Sequence, residues 1–279
     1  MASSVVLITG ALTGIGRATA FAFARIGAQL VVSGRHDETG RSLAGELCEA
    51  GAEAEFVRAD VRVEDEVRAL VDRAVARFGR LDIAVNNAGT EGRPGTLTEQ
   101  GADDYRAIFD TNVFGILNVL RAALPVLRQQ RAGHVVQMSS LFGHMSFPGT
   151  GVLAATKHAV AGLTEALAIE LNPLGIRCTL IEPAALNTPF MSKAVFAGAI
   201  PDYDQTTGAM LRSLGEVPLE SLPSASAVAT LILRAVYAAN PPLLLAFGRS
   251  AEDEIRKALT ARLSDLDDWA DTTQEPDRA

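Results

Sequence analysis

Seven short apolar runs alternate with longer stretches of helical period along this chain, and few folds accept that alternation. The runs are Val5 to Thr9, Gln29 to Ser33, Glu53 to Val57, Leu81 to Val85, His134 to Ser139, Ile176 to Ile181 and Leu243 to Phe247. Between them the apolar spacing predicts helices near 15–26, 37–50, 64–78, 103–130, 151–171 and 224–239. Strands covered on both faces have no polar side to present, so nearly continuous apolar runs point to parallel strands. The expectation is an α/β fold: a Rossmann-like, doubly wound parallel sheet of about seven strands, with right-handed crossovers and helices on both faces. No repeat or low-complexity linker marks a second domain, so residues 1–250 read as one dinucleotide-binding unit. It includes a long irregular stretch, 189–215, suited to a substrate lid. Residues 251–279 read as a helical extension and tail. There Ile255, Leu259, Leu263, Leu266 and Trp269 recur at helical spacing, a stripe expected to pack on the body or a neighbouring subunit, and the tail from Asp271 reads as disordered.

Composition narrows the function classes. A formal charge of −8 leaves no general basic face for nucleic acid or an anionic membrane. No run is read as approaching the ~20 apolar residues of a membrane span. The start of the chain has no basic leader, which predicts a cytoplasmic location. Cys48 and Cys178 read as reduced thiols packed as small apolar groups, and no metal site is expected.

The first strand runs into Thr9-Gly10-Ala11-Leu12-Thr13-Gly14-Ile15-Gly16 and then a helix. Glycines there permit a tight turn and close approach of backbone to a pyrophosphate, while the helix start offers free N–H groups. At the first βα unit this predicts dinucleotide binding. The second strand ends in Ser33-Gly34-Arg35-His36 with no acid to accept from a ribose 2′-hydroxyl. Arg35 can instead pair with a 2′-phosphate, which favours NADP over NAD, although NAD stays possible. A solvated Arg35, or one stacked on adenine, is the competing reading. Asp37 reads as a helix cap.

The glycine turn is followed, in order and spacing, by Asn86-Asn87-Ala88-Gly89, Thr111-Asn112-Val113, Ser139-Ser140 and Lys157. Together these closely resemble the short-chain dehydrogenase/reductase family over residues 4 to 250. The resemblance implies that Asp60 and Val61 flank the adenine and that Asn87, Ala88 and Gly89 line the cofactor cleft. It implies that Lys157 bonds the nicotinamide ribose, that Pro183 and Ala184 border the cofactor, and that Thr188 holds the carboxamide. Ser140 would bond the substrate oxygen, and Asn112 would support a water leading to Lys157. A small-molecule substrate and a homo-oligomer, dimer or tetramer, are implied likewise.

This chain departs from the family pattern at the Tyr-x-x-x-Lys motif, which reads Leu153-Ala154-Ala155-Thr156-Lys157. A Gly usual after the proline of the sixth strand is Ala184, a mild change unless the backbone needs positive φ. Hydride transfer builds negative charge on a carbonyl oxygen, which a nearby acid must neutralise. Leu153 cannot, and losing a general acid costs about 10²–10⁴ in rate, or ~3–5 kcal/mol of barrier. His144 is one substitute donor, with a satisfied structural histidine as its alternative. Lys157 acting through water is another, and Tyr203 folding over the site is a third. His158 reads as structural, and Glu91 as a solvated loop charge. Phe190, Met191, Val195, Phe196, Ile200, Met210 and Leu211 in the lid, with Met145 and Phe147 opposite, suggest an apolar substrate or simple lid packing. The leading expectation is an NADP(H)-dependent oxidoreductase acting on a carbonyl or secondary alcohol with altered proton transfer. A non-redox isomerase, dehydratase or cyclase, and an inactive NADP(H) sensor or subunit, are the alternatives.

Overall fold

The computed structural model describes residues 3–187 and 200–274. All seven expected strands form: β1 (Val5–Ile8), β2 (Gln29–Gly34), β3 (Glu53–Arg58), β4 (Ile83–Asn86), β5 (Gly133–Met138), β6 (Ile176–Pro183) and β7 (Leu244–Phe247). Every pairing is parallel, in the order β3-β2-β1-β4-β5-β6-β7. The described helices are α1 (Gly14–Ala24), α2 (Asp37–Glu49), α3 (Glu64–Phe78), α4 (Ala102–Phe109), α5 (Gly115–Gln130), α6 (Gly151–Leu171), α7 (Ala209–Glu216), α8 (Ala225–Val236), α9 (Arg249–Asp268) and α10 (Ala270–Gln274).

Alternate strand residues feed two cores. Leu7, Val31, Ala84, Val135 and Cys178 meet α3, α5 and α6 on one face. Val6, Ile8, Leu30, Val32, Val85, Val136 and Ile181 meet α1, α2 and α8 on the other. Burying an aliphatic or aromatic side chain such as Phe23, Leu43 or Leu70 contributes about 1.5–3 kcal/mol. The chain leaves β3 at one edge and re-enters the sheet at β4, beside β1. That reversal opens a crevice at the carboxyl ends of β1 and β4, where ligands of such sheets bind.

Several expectations need correction. The helix expected over 103–130 contains a π turn, Asp110–Phe114, in which the Gly115 N–H donates to the Asp110 carbonyl. Part of the expected irregular lid is helical, because a pair of side-chain bonds from Arg212 to Asp204 fastens a π turn, Asp204–Gly208, to α7. Thr188, Pro189, Phe190, Met191, Val195 and Phe196 lie outside the described residues. Of the apolar stripe on α9 only Ile255 is buried; Leu259, Leu263, Leu266 and Trp269 are 42–68% exposed. Asp271 sits in helix α10 rather than a disordered tail. Cys48 is exposed and Cys178 buried, so only the second packs as an apolar group. His36 is the N-cap of α2, and Asp37 opens its first turn. Two segments, Ala102–Gln130 and Gly151–Leu174, are in fact long and apolar enough by composition to cross a membrane, but both pack against the sheet's core.

Candidate active site

The glycine turn and the end of β4 are built against each other. Gly10 has φ +62°, and a Cβ there would lie 2.7 Å from the Ala88 Cα; a Cβ on Gly16 would lie 2.4 Å from both Asn87 Nδ2 and the Gly10 carbonyl. The Asn87 amide donates to the Thr9 and Gly10 carbonyls, each at 3.0 Å. The Thr9 hydroxyl accepts from the backbone N–H groups of Asn87 and Ala88, each at 3.1 Å. Thr13, Gly14, Ile15 and Gly16 then open α1, with no side-chain cap and no acid in the first turn. In α2, α3 and α4 that first turn is acidic. The uncapped start of α1 thus presents free N–H groups and a positive dipole end.

Beyond β2, Arg35 is exposed and makes no hydrogen bond or ion pair with the described residues. Beyond the neighbouring strand β3, Asp60 is tied to Arg62 at 2.6 Å, and that bond holds its carboxyl below the usual range. Arg35 adds a further lowering through space, so its charge lies on the same side of the crevice as Asp60. Val61 is buried, its carbonyl accepting from Asn118 at 2.9 Å. These features fit a dinucleotide: uncapped amides for a pyrophosphate, a backbone too close for any Cβ, and an unpaired guanidinium for a 2′-phosphate.

The chemical end lies where the β4/β5 register brings Asn87–Gly89 beside Met138–Ser140. Lys157 donates to the Met138 carbonyl at 3.1 Å. It keeps some exposed surface, and burial pulls its ammonium down to about 8. The Ser140 hydroxyl is half-exposed and donates to the Pro183 carbonyl at 3.2 Å. Ala184 has no positive φ, so the alanine sits there without backbone strain. Leu153 is half-buried, one helical turn before Lys157 on the same face of α6.

Asn112, in the π turn, is 1% exposed. Its side chain accepts from the Thr90 N–H and donates to the Thr90 carbonyl, both at 2.8 Å. It also donates to Thr156 Oγ1 at 3.3 Å, and that hydroxyl donates to the Leu153 carbonyl at 2.7 Å. Asn112 therefore joins the segment after Gly89 directly to α6.

His144 is buried, and its Nε2 meets Glu182 Oε2 at 2.9 Å. This is the satisfied structural histidine, not a free donor in the substrate loop. Arg262 of α9 donates to the His144 carbonyl at 2.5 Å and meets His158 Nε2 at 3.1 Å, so His158 is structural too. Met145 and Phe147 pack with Phe142 against Leu141, Ala251 and Ile255, which makes them a seat for α9. Tyr203 is exposed, Tyr237 bonds Ser4 at the opposite end of the sheet, and no described phenol bonds Ser140, Asn112 or Lys157. Glu91 is not a solvated charge: it is half-buried, and burial pushes its carboxyl up to about 7. Sequence reasoning also missed Glu182, although a carboxylate inside the apolar strand Ile176–Pro183 demands a partner.

The model of the short chain dehydrogenase family matches residues 4–197. The chain belongs to that family. It is thus an oxidoreductase of the NAD(P)-dependent short-chain type. Among curated relatives, the 3beta-hydroxysteroid dehydrogenase of Mediterraneibacter gnavus is 38% identical over 190 residues, covering 68% of each chain. A short-chain dehydrogenase structure from Streptomyces avermitilis superposes with a TM-score of 0.89 at 31% identity, covering 99% of this chain and 98% of that one. One from Burkholderia phymatum, solved in complex with NAD, gives a TM-score of 0.80 at 32% identity, covering 91% and 92%.

Proposed function

We propose that this short-chain dehydrogenase is an NADP(H)-dependent oxidoreductase interconverting a carbonyl and a secondary alcohol on an apolar small molecule. Its proton transfer is altered because Leu153 stands where the family pattern has Tyr. The observation that carries this reading is the crevice itself, with an uncapped α1, an unpartnered Arg35, and Ser140 and Lys157 brought to one end. Bound there, the reduced dinucleotide supplies a hydride. Ser140 would bond and orient the substrate oxygen, giving up its weak contact to Pro183. Lys157 would hold the ribose hydroxyls and place positive charge near the developing alkoxide. Thr13 to Gly16 would cradle the pyrophosphate, Arg35 the 2′-phosphate, and Asp60 and Val61 the adenine. Asn112 acts as a brace between Thr90 and α6. Leu153 leaves the substrate oxygen without the phenol and adds apolar surface. A homo-oligomer is the working assembly in this reading.

The test follows NADPH absorbance with cyclohexanone and phenanthrenequinone, for the natural chain and for Leu153→Tyr. Turnover by either supports a redox site, and a rate gain in Leu153→Tyr of up to about 10²–10⁴ is the expected size of a restored general acid. Absence of turnover in both ends the redox reading.

A further inference from the structure

Two consecutive residues at the end of β6 are bonded to the turn that carries Ser140. The Ser140 hydroxyl donates to the Pro183 carbonyl at 3.2 Å. One residue earlier, Glu182 Oε2 meets His144 Nε2 at 2.9 Å. Between these bonds the turn closes on itself: the Gly143 N–H donates to the Ser140 carbonyl at 2.8 Å and the His144 N–H to the Leu141 carbonyl at 3.0 Å. From outside, Arg262 of α9 donates to the His144 carbonyl at 2.5 Å. Ser140 and His144 are therefore the two ends of one short, internally bonded turn. Substrate acts differently on its two links to β6. In the reading above, Ser140 gives up Pro183 when its hydroxyl turns to the substrate oxygen. Among the described residues, the His144–Glu182 bond is then the remaining hydrogen bond from this turn to β6.

Stability accounts poorly for the pair. Glu182 is fully buried and His144 is 7% exposed, yet Glu182 Oε1 has no hydrogen-bond partner among the described residues. An orphaned buried oxygen costs free energy, and apolar side chains of similar size in place of such a pair are often neutral or stabilising. Glu182 also bears on the shape of the turn. A Cβ on Gly143 would lie 2.7 Å from Glu182 Oε1, closer than to Ser139 Oγ at 3.1 Å or the Lys157 carbonyl at 3.4 Å. Gly143 has no positive φ, so its missing side chain makes room for the carboxyl rather than for a special backbone.

We propose that Glu182 and His144 are positioning residues for Ser140, fixing where its hydroxyl meets the substrate oxygen. The proposal rests on the oxidoreductase reading above. Neither residue touches substrate or exchanges a proton with it; their bond holds the turn in place while Ser140 changes partner. A misplacement of about 1 Å at a reacting group costs on the order of 10²-fold in rate, so a bond of this kind is worth more to turnover than to folding.

The experiment follows NADPH oxidation with phenanthrenequinone in two parents, the natural chain and Leu153→Tyr, each given three changes in turn. His144→Leu removes the donor and strands the carboxyl. His144→Gln keeps a donor at similar reach. His144→Leu combined with Glu182→Met replaces the pair by apolar side chains of similar size. Urea midpoints report stability, and calorimetry reports NADPH affinity. His144→Leu is expected to lower both the midpoint and kcat. The combined change restores the midpoint but leaves kcat down about 10–100-fold, with KM and NADPH affinity changed less than about threefold. His144→Gln regains most of the lost kcat. If the combined variant regains kcat together with its midpoint, the pair is structural only and the proposal is overturned. Undiminished kcat in His144→Leu overturns it, as does a His144→Gln chain no faster than His144→Leu. A combined variant that does not fold overturns it too, because the pair is then needed for stability. Each of these outcomes leaves the redox site standing. Absence of turnover in both parents, with NADPH still bound, overturns the proposal and the redox reading together.

Discussion

The proposed preference for NADP rests on one charge, that of Arg35. It stands at the end of β2 with no partner among the described residues, so nothing competes for its guanidinium. Arg35→Ala is expected to weaken NADPH binding roughly tenfold to a hundredfold, the worth of a charge-assisted hydrogen bond, and to leave NADH nearly unaffected. Fluorescence titration with both nucleotides measures this, and equal losses for the two would refute the 2′-phosphate assignment. Arg35 was readable beforehand because its place depends only on the strand that ends beside it. Gly10, Gly16 and Lys157 were readable for the same reason, each belonging to a local motif. Glu91 and Cys48 were not, since the burial of a loop or helix-end side chain depends on which distant elements cover it. His144 misled similarly: its spacing from Ser140 was correct, but its aim is set by Glu182, a residue 38 positions away.

Whole elements were easier to anticipate than their joints. The strands came within a few residues of expectation because continuous apolar runs and parallel pairing are one constraint seen twice. The π turn at Asp110–Phe114 carries no periodic signature; it only lets Asn112 reach Thr90 and Thr156. The α9 stripe is a true helical period of which only Ile255 packs into the body. Its attachment is short: Ala251 and Ile255 sit on Leu141, in the turn that follows Ser140, and Arg262 clamps the His144 carbonyl. Ile255→Ala should therefore cost about 2–5 kcal/mol, as for other large-to-small core changes. Read by denaturant midpoint, a loss under about 0.5 kcal/mol would show that α9 is dispensable to the body. Because the same contact supports the Ser140–Gly143 turn, kcat is expected to fall along with stability.

At the scale of the molecule, a buried group and a half-buried one pull the acid response in opposite directions. His134, on β5, bonds Thr179 on β6 at 2.9 Å, and burial lowers its imidazole to about 4 from an ordinary 6.5. Folding thus expels a proton from His134 between those values, so its contribution to stability is present above pH 6.5 and lost on acidification. Its full size is about 3 kcal/mol. Glu91, raised to about 7 from 4.5, takes up a proton on folding, so stability falls as pH rises through that window. Asp60, Glu99 and Asp204 are held low by Arg62, Thr96 and Arg212, and their losses fall at more acid pH. Between pH 4.5 and 6.5 the His134 and Glu91 slopes therefore oppose one another, and the natural chain should show a shallow dependence. Removing either group exposes the other. Glu91→Gln should make unfolding free energy rise with pH across this window, and His134→Gln should make it fall. Urea titrations at half-unit pH steps distinguish these outcomes. If the His134→Gln curve is instead flat across this window, then Glu91 titrates as an ordinary surface carboxyl, and its protonated state at neutral pH is wrong.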